Sequence, residues 1–153
     1  MPKIKLSRAE ADALDRSWEK MRPFYDLLAR HRHEDLSPPQ RKGQLALFYS
    51  NEINNGGHLQ YFHNQGLERA DELAAALADM GAAEQLAIFQ GALAHAREYP
   101  VEQAESLEEY SDWAHEQEFS TWDDAFYAVK PELGDGALPD FILANLSEFA
   151  DVG

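Results

Sequence analysis

Residues 51 to 64, Asn-Glu-Ile-Asn-Asn-Gly-Gly-His-Leu-Gln-Tyr-Phe-His-Asn, gather the side chains best suited to chemistry. Glu52 is a carboxylate set among the amides of Asn55, Gln60 and Asn64, with the Tyr61 phenol beside them. Partial burial raises the proton affinity of a carboxylate, so Glu52 in such a setting is a candidate general base. Gly56 and Gly57 reach backbone conformations closed to other residues, or let another backbone approach closely, at roughly 0.5 to 1 kcal/mol each relative to Ala. Something local must offset that cost. Two readings fit. One is a hydrogen-bonded joint between helices. The other is a small-molecule pocket lined by Glu52, Asn55, Gly56, Gly57, Gln60, Tyr61 and Asn64, in which Glu52 is at least partly buried and accepts from amides of the turn, those of Asn55 to Gly57.

The second group is electrostatic. On a helix of about 3.6 residues per turn, Glu102, Glu105, Glu109, Asp112 and Glu116 share an arc of roughly 80°, opposite Leu107, Tyr110 and Ala114. Each like-charge neighbour at three or four residues costs about 0.2 to 0.5 kcal/mol, so the stripe disfavours its own helix by roughly 1 to 2 kcal/mol before screening. Asp123 and Asp124 extend the acidic run. Stability alone would not select this pattern. It reads either as a surface for a cationic partner or as a solvated face that keeps an acidic chain in solution.

Other chemistries find no foothold. There is no phosphate-binding Gly-Lys-Ser/Thr loop, no dinucleotide glycine fingerprint and no Gly-x-Ser-x-Gly elbow, so no catalytic residue is assigned and the chain reads as non-catalytic. With no cysteine, disulfides, thiolate zinc sites and thiol catalysis are excluded. His58 and His63 are five residues apart, about 140° around a helix, which does not suit paired metal ligands. His31 and His33 alternate in a polar connection. The six histidines are therefore read as ordinary surface or partly buried residues, with no metal and no cofactor.

The whole chain carries 13 basic and 28 acidic residues, a net charge of −15. Residues 1–45 hold 10 basic and 7 acidic groups, whereas residues 46–153 hold 3 and 21. Between Arg97 and Lys130 ten acidic residues occur and no Lys or Arg. Direct nucleic-acid binding, which draws on Lys and Arg, is not expected; a basic protein partner is. Self-association, the basic first 45 residues of one copy meeting the acidic surface of another, is a third reading. The charged start and the lack of any apolar run near the ~18 residues of a membrane span point to a cytoplasmic chain without membrane contact.

At 153 residues the chain is one domain in size. Ser7-Arg8-Ala9-Glu10 has capping-box form, and Leu14, Trp18 and Met21 follow at helical spacing, with Pro23 expected to break or kink that helix. Ser37-Pro38-Pro39-Gln40 opens another helix, with Leu45, Phe48, Tyr49 and Ile53 on its buried face and its end near Asn55. A short helix after the glycines closes near Gly66, and a longer one with Leu73, Leu77 and Met80 closes at Gly81. Leu86, Phe89 and Leu93 mark the next, stopped before Pro100, and the acidic segment follows. Ser120 caps a run with Trp122, Phe126 and Tyr127, and Phe141, Ile142, Leu146 and Phe149 complete the chain. Strand-like alternation is nowhere sustained. The expectation is an all-α fold, a compact single-domain bundle of about six to eight helices.

Asn55-Gly56-Gly57, then Gln60-Tyr61-Phe62 and Asn64, with Glu52 just upstream, resembles the signature of the family named after an acidic DNA-mimic protein. Leu36-Ser37, Leu77 with Gly81-Ala82, Asp124-x-Phe126-Tyr127, and Phe141 with Asn145 and Phe149 extend the resemblance from Leu36 to Phe149. Where that family usually has an aromatic after the glycine pair, this chain has His58. The resemblance implies an N-terminal helical segment over 1–35 and a DNA-mimic-like helical domain over 36–150. It also implies a basic, DNA-binding protein as partner, held by Glu102, Glu105, Glu109, Asp112, Glu116, Asp123 and Asp124 in place of phosphates. Carboxylates on one stripe recur about every 5 Å against about 3.4 Å for phosphates along a DNA strand, so one stripe is a sparse imitation and Glu68, Asp71, Glu72, Asp123 and Asp124 are candidates for a second row.

Overall fold

In the structure, a computed structural model that describes residues 1–101 and 118–153, the first helix obeys its local signal and then stops early. Ser7 Oγ accepts from the Glu10 N–H and Glu10 Oε1 accepts from the Ser7 N–H, both at 3.0 Å. The helix they open, α1, covers only Arg8–Asp12. Asp15 Oδ1 then accepts from the Ser17 N–H at 2.8 Å, a side-chain turn that competes with helical bonding. A separate helix, α2, covers Trp18–Arg30 and buries Met21, Phe24, Leu27 and Leu28, while Trp18 is 64% exposed. Pro23 neither ends nor divides α2. It stands on an exposed face in the second turn, where solvent can bond the Glu19 carbonyl that a proline leaves without its donor.

After a 3₁₀ turn at His33–Asp35, α3 runs from Pro38 to Gln65. Its N-terminal cap is reciprocal: Ser37 Oγ accepts from the Gln40 N–H at 3.4 Å and Gln40 Oε1 from the Ser37 N–H at 2.9 Å. Gln40 is fully buried, and its amide donates to Pro2 O at 2.6 Å and Glu148 O at 2.8 Å, so one side chain ties both ends of the chain to the central helix. The expected pair of helices around Gly56-Gly57 is one helical span with a break at Gly57, whose φ of 76° and ψ of −173° are open only to glycine. Gly66, at φ 63°, terminates it.

Helices α4 (Ala70–Asp79) and α5 (Ala83–Glu98) follow, turning at Gly81 with φ 72°. Beyond the undescribed residues come α6 (Ser120–Ala128), a 3₁₀ turn at Leu133–Asp135, α7 (Ala137–Ala144) and α8 (Leu146–Phe149). α3 is the axis: α2, α4, α6, α7 and α8 all pack against it. Helix dominates the described residues, and the fold is all-α. One departure from the expected absence of strands is a parallel pair, β1 (Ile4–Leu6) beside β2 (Ala150–Val152), with Lys5 opposite Asp151. Three residues are too few to show alternation in a sequence.

Tyr49, fully buried on α3, is the hub of the core. The rings of Tyr61, Phe89 and Phe126 meet it edge to face at 5.3, 5.2 and 5.5 Å between centroids, the geometry that brings the positive edge of one ring to the negative face of another. Leu45 and Phe48, expected on the same buried face, are only partly covered.

Replacing Gln40 by Ala should leave the carbonyls of Pro2 and Glu148 without their donor and cost about 2 to 3 kcal/mol. Urea unfolding measures the loss, and an unchanged midpoint would show that the clamp is dispensable.

Candidate functional site

The break in α3 is built by side chains from two helices. At Gly57 the backbone leaves helical φ and ψ, so the His58 N–H stands at a new helix start, where an amide has no assured intrahelical partner. Asp123 on α6 replaces that partner, its Oδ1 accepting from the His58 N–H at 2.8 Å and from His58 Nδ1 at 2.7 Å. The carboxylate therefore caps the second half of α3, where the positive end of the helix dipole favours a negative charge. Four residues on, Tyr127 donates its hydroxyl to Ile53 O at 2.6 Å, satisfying a carbonyl of the first half. One face of α6 thus completes both broken ends.

Within α3 two further links cross the break. Glu52 Oε2 accepts from Gln60 Nε2 at 2.8 Å and from Asn64 Nδ2 at 3.0 Å. Tyr49 and His58 meet at 2.8 Å between Oη and Nε2. A carboxylate only accepts, so Nδ1 of His58 carries the proton toward Asp123. Burial, then the nearby Tyr61 and Asp123, raise the Tyr49 phenol well above its ordinary range. Burial, and next the charge of Glu52, push Tyr61 up as well. Both phenols stay protonated.

The expected placements hold in part. Glu52, Gln60 and Asn64 are linked across Gly56 and Gly57, Asn55 is exposed and Tyr61 lies in the aromatic core, and Glu52 is held by the side-chain amides of Gln60 and Asn64 rather than by the backbone of Asn55 to Gly57. The free backbone donor of the break is taken by Asp123 instead. His58 is not an ordinary surface or partly covered histidine: it is fully buried, with Tyr49, Phe62, Phe119 and Phe126 around its ring. Asp123, expected to face a partner, is turned inward with its side chain 23% exposed, whereas Asp124 beside it is exposed. Glu102, Glu105, Glu109, Asp112 and Glu116 lie outside the described residues, as does the helix expected to carry them. Among the described residues no three His, Asp or Glu side chains converge as metal ligands would.

An Asp–His–Tyr chain orients an imidazole as general-base relays do. Here its far end abuts a buried tyrosine inside an aromatic shell, so a reactant has no route to Nε2. The residues to which sequence reasoning gave other roles, His58, Asp123 and Tyr127, had one signal for the joint: Asp123 and Tyr127 are four apart and flank buried Phe126, so a charge and a phenol share a helix face with core residues.

The model of the DMP19-like protein family matches residues 34–145. The chain belongs to this family. The match begins just before the α3 cap and ends at the close of α7, so it contains every residue of the joint. No curated protein and no solved structure shows a significant match to the chain. In this DMP19-like chain His58 occupies its aromatic shell as a ring would and adds two polar contacts at the break.

Two substitutions test the joint. A Cβ at Gly57 would stand 2.5 Å from Asp123 Oδ2 in a backbone conformation L-residues avoid, so Gly57→Ala should cost about 2 to 3 kcal/mol. Asp123→Ala, which leaves the His58 N–H and Nδ1 without an acceptor, should cost about 2 to 3 kcal/mol in the same urea assay. Stability equal to the parent in either variant would mean that the break is not held as described.

Proposed function

We propose that this protein is a non-catalytic acidic binder that engages the basic face of a protein partner, of the kind that grips DNA, by presenting carboxylates where phosphates would lie. The observation that carries the reading is the distribution of charge within a chain of this family: 3 basic against 21 acidic groups in residues 46–153, with no Lys or Arg between Arg97 and Lys130. Such a field steers a Lys- and Arg-rich groove into encounter and competes with nucleic acid for it. Glu102, Glu105, Glu109, Asp112, Glu116 and Asp124 are the proposed contact carboxylates, with Trp113 and Trp122 as apolar neighbours that add specificity. Asp123 supports them indirectly, since its charge caps α3. Of the second-row candidates, Glu68 and Asp71 are exposed, with Asp71 3.8 Å from Arg97, whereas Glu72 is engaged by His33 and Arg69.

The competing reading, a reaction or ligand pocket at Glu52 and the glycine pair, has less support. The Glu52 oxygen that would serve as base already holds two amides, and Asp123 closes over Gly57.

Replacing Glu105, Glu109 and Asp112 by Gln separates the two roles of the stripe. The variant should be as stable as the parent, or more stable by up to about 1 to 2 kcal/mol at low salt. In affinity capture from lysate at low salt followed by salt elution, it should lose the basic protein that the parent retains, through slower association and a shallower salt dependence. Undiminished capture by the variant would reduce the stripe to a solubility feature.

A further inference from the structure

A cleft of about 350 Å³ lies where the end of α2, the middle of α3 and Arg69 meet. Its lining includes Arg30, Arg32, Arg69, His31 and His33 and no carboxylate, in a chain with 28 acidic residues. Three other clefts on the described surface are each lined by one or more Asp or Glu. Helix capping explains part of this. Arg30 and His31 stand at the C-terminus of α2, where cations complement the helix dipole, and His31 Nδ1 lies 2.8 Å from Leu27 O. It does not explain Arg69, delivered from beyond α3, or Arg32. Carboxylates near the cleft partly offset these charges without lining it: Glu72 is 3.3 Å from His33 and 3.6 Å from Arg69, and Arg32 pairs with Asp35 at 3.0 Å and Glu34 at 3.7 Å. Arg30 has no carboxylate partner among the described residues.

The cleft is also preformed. Gln44, 3% exposed, donates its amide to Leu28 O at 2.8 Å and His31 O at 2.7 Å, and its Oε1 lies 2.9 Å from His33 Nδ1. The histidine loop is thereby held against α3 before any ligand arrives, which lowers the entropic cost of binding. Phe48 and Leu45, only partly buried, form an apolar wall beside the cations.

We propose that this cleft binds a small organic anion, a carboxylate or phosphate monoester carried on one flat ring. Guanidinium groups meet the planar or tetrahedral anion with paired donors, and the ring lies on Phe48. The volume is at the lower end of small-molecule sites, which suits one ring and its head group and not a larger cofactor. This site is independent of the acidic surface and of the partner proposed for it.

Titration of the full chain at low ionic strength with phenyl phosphate, benzoate, inorganic phosphate and benzyl alcohol, followed by the imidazole resonances of His31 and His33, tests the proposal. Phenyl phosphate or benzoate should shift both rings saturably with one-site behaviour, and the tighter of the two identifies the head group. Inorganic phosphate, lacking the ring, should bind at least about tenfold more weakly, and neutral benzyl alcohol should shift neither ring. The double variant Arg32→Gln and Arg69→Gln, at an exposed and a half-buried position outside the core, should weaken the aromatic anion at least about tenfold, while Arg97→Gln leaves it unchanged. The proposal is overturned if neither aromatic anion saturates up to about 10 mM, if inorganic phosphate binds as tightly, or if the double variant binds like the parent.

Discussion

The contact on which this fold turns is a single carboxylate oxygen, Asp123 Oδ1, shared between the backbone N–H and the ring Nδ1 of His58. A helix interrupted inside a protein exposes donors on one side of the break and acceptors on the other, and burying them unpaired costs more than most single contacts return. α6 answers both at once, because Asp123 and Tyr127 are one helical turn apart. The same contact makes Gly57 obligatory twice over, through its backbone conformation and through the space that the carboxylate occupies. Trp122 repeats the second constraint on the neighbouring helix: a Cβ at Gly91 would clash with its indole nitrogen, so α6 lies close on α5. The direction of α6 therefore depends on two glycines and one carboxylate.

Charge and fold are arranged almost independently in this molecule. Basic residues concentrate in the first 45 residues, and acidic ones in the remainder of the chain. The few carboxylates that shape the interior, Glu52 and Asp123, are those with amide or imidazole partners. Most of the other carboxylates among the described residues are exposed, where their mutual repulsion is screened. A structure that confines its electrostatic strain to the exterior can carry a large net charge without weakening its aromatic centre.

Much of the architecture was legible in the sequence because helices announce themselves by caps and period. Ser7 with Glu10 and Ser37 with Gln40 form the boxes their spacing implies, and Gly66 and Gly81 end helices at positive φ. Other features escaped for identifiable reasons. Asp15 stopped α1 through a side-chain bond that periodicity does not register. Pro23 passed as a breaker until its position in an exposed second turn was known. β1 and β2 find each other across the length of the chain, and no local pattern encodes that. At the joint, residue types were sufficient to identify Glu52, Gln60 and Asn64 as a network. His58 was misplaced because burial of an imidazole depends on partners 9 and 65 residues away, Tyr49 and Asp123.

The short parallel ladder between Ile4–Leu6 and Ala150–Val152 gives the molecule a mechanical character that its helices alone would lack. Tension applied between the two ends pulls β1 from its first residue and β2 from its last. In parallel strands those forces run along the ladder in opposite senses, so its hydrogen bonds are loaded together in shear and are not opened one by one. Gln40, bonded to Pro2 and Glu148, stands directly beside that ladder and shares the load with α3. Stretching the chain thus meets its resistance first at the closure of its ends, and the helical body is drawn out only after that latch has slipped.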